Sequence, residues 1–466
     1  MTDQAPPTLS FGQQALERFG KRAPLAMALR LTLEHTFVAE ALDAIFERCR
    51  TDGYTRTMAF SMLVDVMGAV VTGRAASPHA AMQKLGSRLT TSITAAYNKL
   101  QRVEPNVSAG LVHHVAARAR EVIRAANGAC APLLPTRRVR ILDGNHLAAT
   151  ERRLEVLWGC AAGPRPGFCI VALDPALRLF TDVIPCEDAH SQERALTAQI
   201  LGWVAADDCW IADRNFCTRP ILFGIDAAAG TFVVRQHGNL EGTLVGERRA
   251  CGRTERGALF EQTSELTHEG RTLRLRRVTI ELDGATRDGD RAIHLLTSLA
   301  ESEADAAKVA ELYLARWTIE TAFAELARWL DAELKPLGYP RAALFAFCVG
   351  LTAYNVLATV LGALRAVHGE TVVAEEISGY HIHEQTRGEV VGIDALLEES
   401  DWLPLRAMTT LQVAAELVRL VGLVDRRYIR KARRGPKKPV PKRTRFKQKP
   451  HVSTQRLLDG TVSDDS

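Results

Sequence analysis

The chain has 466 residues, 47% hydrophobic and 24% charged, a balance that belongs to folded globular proteins and excludes a disordered or fibrous chain. Nine cysteines are scattered without a CxxC pair, which excludes a disulfide framework or zinc-finger spacing and suits a reducing compartment. The net charge of +5 hides an asymmetry: 13 of the 59 Lys and Arg fall in 426–449 with no acid among them, so the other 46 face all 54 acids.

In chain order, the opening MTDQAPPTLS has neither a basic nor an apolar stretch, so no signal peptide is expected. Residues 1–135 read as helical, with helical periodicity in 23–49 and 55–73 and breakers at Asp52-Gly53, Ser77-Pro78, Pro105 and Pro132. Within them LTTSITAAYNKLQRV (89–103) has capping residues and a polar face. Two readings stay open there: the reading helix of a helix-turn-helix, or a plain surface helix.

Near residue 136 the texture changes. RRVRILDGNHL, LEVLWGCAA (154–162), GFCIVAL and RLFTDVIPC read as strands, 190–206 as a helix, and DCWIADRNF as a further strand, giving an α/β layer domain over 136–229. Residues 230–285 are strand-rich with Gly turns and read as a β insertion. Helical pattern returns in 286–335 and continues through 336–425. There 342–367 is apolar for long enough to span a bilayer, but it carries Thr352, Asn355, Thr359 and Arg365 and reads as a buried core helix, with no membrane partner. Residues 426–466, which include KARRGPKKPVPKRTRFKQKP, read as a basic flexible tail whose natural partner is nucleic acid.

The chemistry-bearing candidates are carboxylates. Asp143 closes the first strand of the α/β domain and Asp213 a later one. In open α/β sheets ligands gather at the carboxyl ends of strands, which would bring the two together. The stretch YLARWTIETAFAELAR (313–328) reads as one helix with two stripes. Ala315, Ile319, Phe323, Leu326 and Leu330 form a core face. Tyr313, Arg316, Trp317, Glu320 and Ala324 form a polar one able to reach an anionic or metal-bridged ligand. Three carboxylates without a His or Cys cluster suit Mg²⁺ or Mn²⁺. Bland readings stand beside each: Asp143-Gly144 as a hairpin turn, Asp213-Arg214-Asn215 as a plain turn, Arg316–Glu320 as a surface pair, and Trp317 as a packed aromatic at the edge of the core. His113-His114 and His381-x-His383 read as surface or packing histidines. Neither GxxxxGK[ST] nor GxSxG occurs, so a P-loop and a nucleophile elbow are excluded.

Taken together, ILDGNHL, IADRNF, and Tyr313, Arg316 and Glu320 at Tyr-x2-Arg-x3-Glu spacing resemble the DDE transposases of bacterial insertion sequences, in the branch with a Tyr-Arg-Glu-Lys signature (insertion sequence family four). The insertion before Glu320, the segment EEISGYHIHEQTRG and the block RKARRGPKKPVPKR resemble that branch too. Two positions depart: Ala327 stands where the signature has Lys, with Arg328 beside it, and Asn215 stands where Gly is usual.

The resemblance implies an α/β ribonuclease H-like catalytic core with a β-strand insertion, flanked by a helical DNA-binding region at 1–135 and a helical, basic C-terminus. It implies Asp143, Asp213 and Glu320 as the catalytic, metal-holding triad, with two ions of Mg²⁺, or of Mn²⁺ in its place, as cofactor. Tyr313, Arg316, Arg328, Arg434, Lys437 and Lys438 are the implied DNA contacts. The implied activity is cut-and-paste transposition on double-stranded DNA by a synaptic homodimer, in a bacterial cytoplasm at the nucleoid. A ribonuclease H-like nuclease without strand transfer, or a catalytically inactive DNA-binding derivative, are the rival readings.

Overall fold

The computed structural model describes residues 11–52, 58–86, 91–286, 289–432, 435 and 451–461. The chain divides into two compact units: one takes Ala131–Leu147 and Gly167–Ala324, the other the remainder. Eleven strands among the described residues are numbered in chain order: β1 (Arg138–His146), β2 (Gly163–Arg165), β3 (Phe168–Asp174), β4 (Leu179–Cys186), β5 (Asp208–Ala212), β6 (Thr231–Arg235), β7 (Thr243–Thr254), β8 (Gly257–His268), β9 (Arg271–Leu282), β10 (Ala292–Thr297) and β11 (His451–Ser453).

Nine of them make one sheet in the first unit, ordered β4–β3–β1–β5–β6–β10–β9–β8–β7. β1, β5 and β6 run parallel, and the flanking pairs are antiparallel. Every residue of β3, FCIVALD, is buried, as a run of apolar and β-branched residues covered on both faces should be. Leu142, Phe168, Ile170, Trp210, Phe216 and Phe232 belong to the core on one face. This mixed sheet with its helices fits the ribonuclease H-like core that the sequence led us to expect. β6 lies in the range read as the insertion, yet it pairs parallel with β5. β10 lies beyond that range and joins β6 to β9. β7 closes the sheet as a largely exposed edge, and its pairing with β8 is interrupted twice.

Three local expectations differ from the structure. LEVLWGCAA holds no strand but a short 3-10 turn, Glu155–Leu157, followed by the exposed Trp158; only Leu157 of the turn is buried, so the stretch has no alternation to sustain a sheet face. The helix read over 190–206 shrinks to a 3-10 turn Glu193–Leu196 and one α turn, Thr197–Leu201, before Gly202. Residues 313–328 are not one helix. Ala306–Leu314, capped by the Asp305 carboxylate on Lys308 N–H at 2.7 Å, ends, and Trp317–Trp329 begins after a tight turn. Arg316 N–H donates to Tyr313 and Thr318 N–H to Ala315, the three-residue spacing of a 3-10 turn.

The second unit is helical. Pro340–His368 is, among the described residues, the one helix long and apolar enough to cross a membrane, and 89% of its most apolar window is buried. It packs on Pro24–Thr36, Phe60–Val71, Pro105–Ala125 and Thr410–Gly422. Its threonines are satisfied locally: Thr352 donates to the Val349 carbonyl at 2.7 Å and Thr359 to the Asn355 carbonyl at 2.8 Å. Gly128 meets Gly362 so closely that a Cβ on Gly128 would stand 2.3 Å from the Gly362 carbonyl oxygen. In the helix Ile93–Leu100, capped by Ser92, Lys99 is used internally, donating to the Met58 carbonyl and lying over the Phe46 ring. Parts of the segment read as a flexible tail are built into the unit. Arg426–Ile429 is a 3-10 turn with Ile429 fully buried, and β11 pairs parallel with β2. Apolar anchors, Ile429 and Val452, hold these two pieces. Arg434, Lys437 and Lys438 lie outside the described residues.

Candidate active site

β1 and β5 set the site. They run parallel with Leu142 opposite Ala212, so Asp143 and Asp213 occupy the next level on neighbouring strands, whose spacing is about 4.8 Å. β1 does not turn at Asp143-Gly144. It continues on its other side, with Asp143 opposite Val171 and Gly144 opposite Ile170, which removes the hairpin reading. Asp213 caps the 3-10 turn Arg214–Phe216, its carboxylate accepting from Asn215 N–H at 2.9 Å.

In this unit the helix Trp317–Trp329 is anchored by Ile319 and Ala322, both buried, and by Phe323, whose ring stacks on Phe180 of β4 at 5.5 Å. That packing presents Glu320. Arg316, in the turn before the helix, ties the acids together: Nη1 lies 3.3 Å from Asp143 Oδ2 and Nη2 lies 2.5 Å from Glu320 Oε1. Arg316 Nε is buried with no partner among the described residues. Tyr313 is buried and hydrogen-bonded to Arg316, and burial raises its hydroxyl pKa.

A fourth carboxylate lies nearby, next to Gly144. A Cβ built on Gly144 would stand 2.0 Å from Glu193 Oε1, so Glu193 lies directly over the residue after Asp143. Side chains alternate along a strand, so Glu193 approaches from the face of β1 opposite to that of Asp143. Sequence reading missed it: Glu193 sits in a polar run that looked like an ordinary helix start. The signal available was the adjacent Gly144, whose missing side chain lets the carboxylate approach.

The acids repel one another. Asp143 is raised from 3.8 to about 6, first by burial and then by Asp213 and Glu320, while Arg316 and the Gly144 N–H oppose the rise. Glu193 is raised from 4.5 to about 7 by burial, then by Asp213 and Asp143, with a hydrogen bond from Asn215 acting against it. Such a set of oxygen donors fits a hard divalent cation in kind. Among the described residues no three His, Cys, Asp or Glu already stand at metal-holding distance; the positive charge between Asp143 and Glu320 is the Arg316 guanidinium.

The remaining candidates fall elsewhere. Trp317 is 53% exposed rather than packed at the core edge. Ala327 and Arg328 are exposed and belong to the other compact unit, whose share of this helix starts at Glu325.

Residues 134–356 match the family model described as Transposase DDE domain. This segment is similar to a transposase DDE domain. The matched range spans the positions of Asp143, Asp213 and Glu320. No curated protein matches the chain. Among solved structures, the cryo-EM structure of a piggyBac transposase synaptic complex with hairpin DNA is similar over 78% of this chain and 80% of that one, at 11% identity and a TM-score of 0.39.

Proposed function

We propose that the protein is a cut-and-paste DNA transposase of the Tyr-Arg-Glu-Lys branch, which binds the terminal inverted repeats of an insertion sequence, cleaves there and transfers the strand. The observation that carries this reading is the placement of Asp143 and Asp213 at one level of β1 and β5, with Glu320 tied to Asp143 through Arg316. Asp143, Asp213 and Glu320 would hold the Mg²⁺ or Mn²⁺, two ions in this reading. When bound, such cations activate water and neutralise charge on the phosphate. The chain's own part is positioning and charge. In-line phosphoryl transfer needs a held phosphate more than a nucleophilic side chain. Arg316 presents a rigid fork suited to phosphate oxygens, held in place by Asp143 and Glu320. Tyr313 fixes that fork from behind.

Double-stranded DNA is the substrate in this reading. The protein acts as a homodimer at the synapse, in the cytoplasm, and Arg434, Lys437 and Lys438 add affinity through the tail. The test is Mg²⁺-dependent cleavage of DNA carrying the gene's own flanks, comparing the native chain with Asp213→Ala and Glu320→Gln. Cutting at the element boundary by the native chain alone supports the proposal. Cutting without a joined product would indicate a nuclease. Binding without cutting above the variants' level would indicate an inactive derivative, the reading that Ala327 favours.

A further inference from the structure

A cavity of about 610 Å³ has in its wall Glu193, which lies over Gly144, and Arg214 and Asn215, which follow Asp213 in the chain. Its volume lies in the roughly 300–1,000 Å³ range of ligand pockets, and its charged side chains are mostly basic. Arg194, Arg214 and Arg219 line it with His146, His237 and His268, and Glu193 is the one carboxylate that does so.

These arginines differ from others in the same unit. Arg138, Arg140, Arg235 and Arg276 are each paired with an acid: Asp208, Asp182, Asp290 and Glu261. Around the cavity no arginine forms an ion pair with a described carboxylate. Arg194 donates to the Gln192 side chain, and Arg219 to the carbonyl oxygens of Thr267 and Glu241 at 3.1 and 3.0 Å. Such neutral acceptors fix the side chains and leave their charge uncompensated.

A second feature points the same way. The helix Arg219–Ala227 begins at the cavity wall, and its N-cap residue Thr218 makes no capping bond. Thr218 Oγ1 is buried with no partner among the described residues. A helix N-terminus whose capping hydroxyl is unused, flanked by unpaired guanidinium groups, is built for an anion with several oxygens.

We infer that this cavity binds phosphodiester groups of the DNA strand leading away from the phosphate held at Asp143 and Asp213. The inference rests on the proposed function, because the adjacent carboxylates are what make the anion a strand rather than a free phosphate. Cationic wall and acidic centre then divide the work: the wall holds the strand, and the acids address one phosphate in it.

The test measures binding of the full-length chain to a short fluorescein-labelled single-stranded oligonucleotide of mixed sequence, by anisotropy across a salt series in EDTA. Native chain, Arg194→Gln/Arg214→Gln and Arg194→Lys/Arg214→Lys are compared. Both side chains are exposed, so unchanged thermal melting is expected of the variants. Each lost single-strand phosphate contact flattens the log–log salt slope by about 0.7, so the Gln pair should be shallower by about 1.4, with the Lys pair near native. An unchanged slope in the Gln pair overturns the inference, as does a native chain that fails to bind. Inorganic tripolyphosphate is the competing probe: displacement of the oligonucleotide at a lower concentration of phosphate groups than unlabelled strand requires would assign the cavity to a small polyanion instead. A flattened slope in a chain that shows no metal-dependent cleavage would retain the strand site and reject the enzymatic reading.

Discussion

Replacing Asp143 by Asn should make the folded chain more stable. Asp143 is held between two strands, with side-chain exposure of 18%, and its pKa is raised from 3.8 to about 6. Its folded-state pKa lies above its unfolded one, so its favourable contribution is complete below pH 3.8 and is lost as pH rises through about 6. Above that window the ionised form carries the full penalty. At roughly 1.4 kcal/mol per pKa unit, the carboxylate costs about 3 kcal/mol near pH 7.5. Asn mimics the protonated acid, can still accept from Gly144 N–H, and leaves Arg316 its bond to Glu320. It also removes one of the charges that raise Glu193, so the gain belongs to the coupled set rather than to one residue. The assay is urea unfolding in EDTA at pH 4, 6 and 7.5. A gain of about 3 kcal/mol at pH 7.5 that vanishes by pH 4 is expected, with Mg²⁺ stabilising the native chain more than the variant. Equal stability of the two proteins at pH 7.5, or a native chain whose stability does not fall between pH 4 and 6, would refute the electrostatic reasoning.

Three further outcomes follow from other parts of the chain. Asp213→Ala and Glu320→Gln should each abolish Mg²⁺-dependent cleavage while leaving DNA affinity in EDTA within a factor of about three, which a gel-shift titration checks. Gly128→Ala should lower stability by about 1–3 kcal/mol in chemical denaturation, because its Cβ would press on the Gly362 carbonyl, a backbone group that cannot swing aside. Deleting 433–449 removes nine Lys and Arg and should weaken DNA binding and flatten its salt dependence, leaving the buried Ile429 turn in place; an unchanged slope would exclude the tail from binding.

The parts of the fold that were legible in the sequence are those with short-range causes. Continuous apolar runs marked β3 and β5, and the stripe through Ile319 and Leu326 marked the buried face of the Glu320 helix. Asp213 follows the end of β5 as read, but Asp143 does not close β1, which runs on to His146 through pairing with β3 that local composition does not signal. What escaped depends on tertiary contact. The turn at Ala315-Arg316 interrupts residues with good helix propensity, and in the folded unit it coincides with the Arg316 ties to Asp143 and Glu320. Glu193 was invisible because its partner, Gly144, lies 49 positions away in sequence, a separation read from the numbering alone. The insertion looked separable, since Gly turns bound its strands, whereas β10, beyond its range, joins β9 to β6 through main-chain bonds that carry no side-chain signature.

The outer border of that sheet has a consequence for the behaviour of the chain at high concentration. An uncovered strand of this length is a template on which a second copy can crystallise its own strand, the starting point of fibrous aggregates. β7 is unsuited to that role: Gly246 and Gly252 adopt positive φ of 74° and 96°, its ladder is broken twice, and Arg248, Arg249 and Arg253 stud it with charge. The same irregularities that make the strand look poorly formed therefore act as a stop, keeping a nine-stranded sheet from polymerising through its own edge.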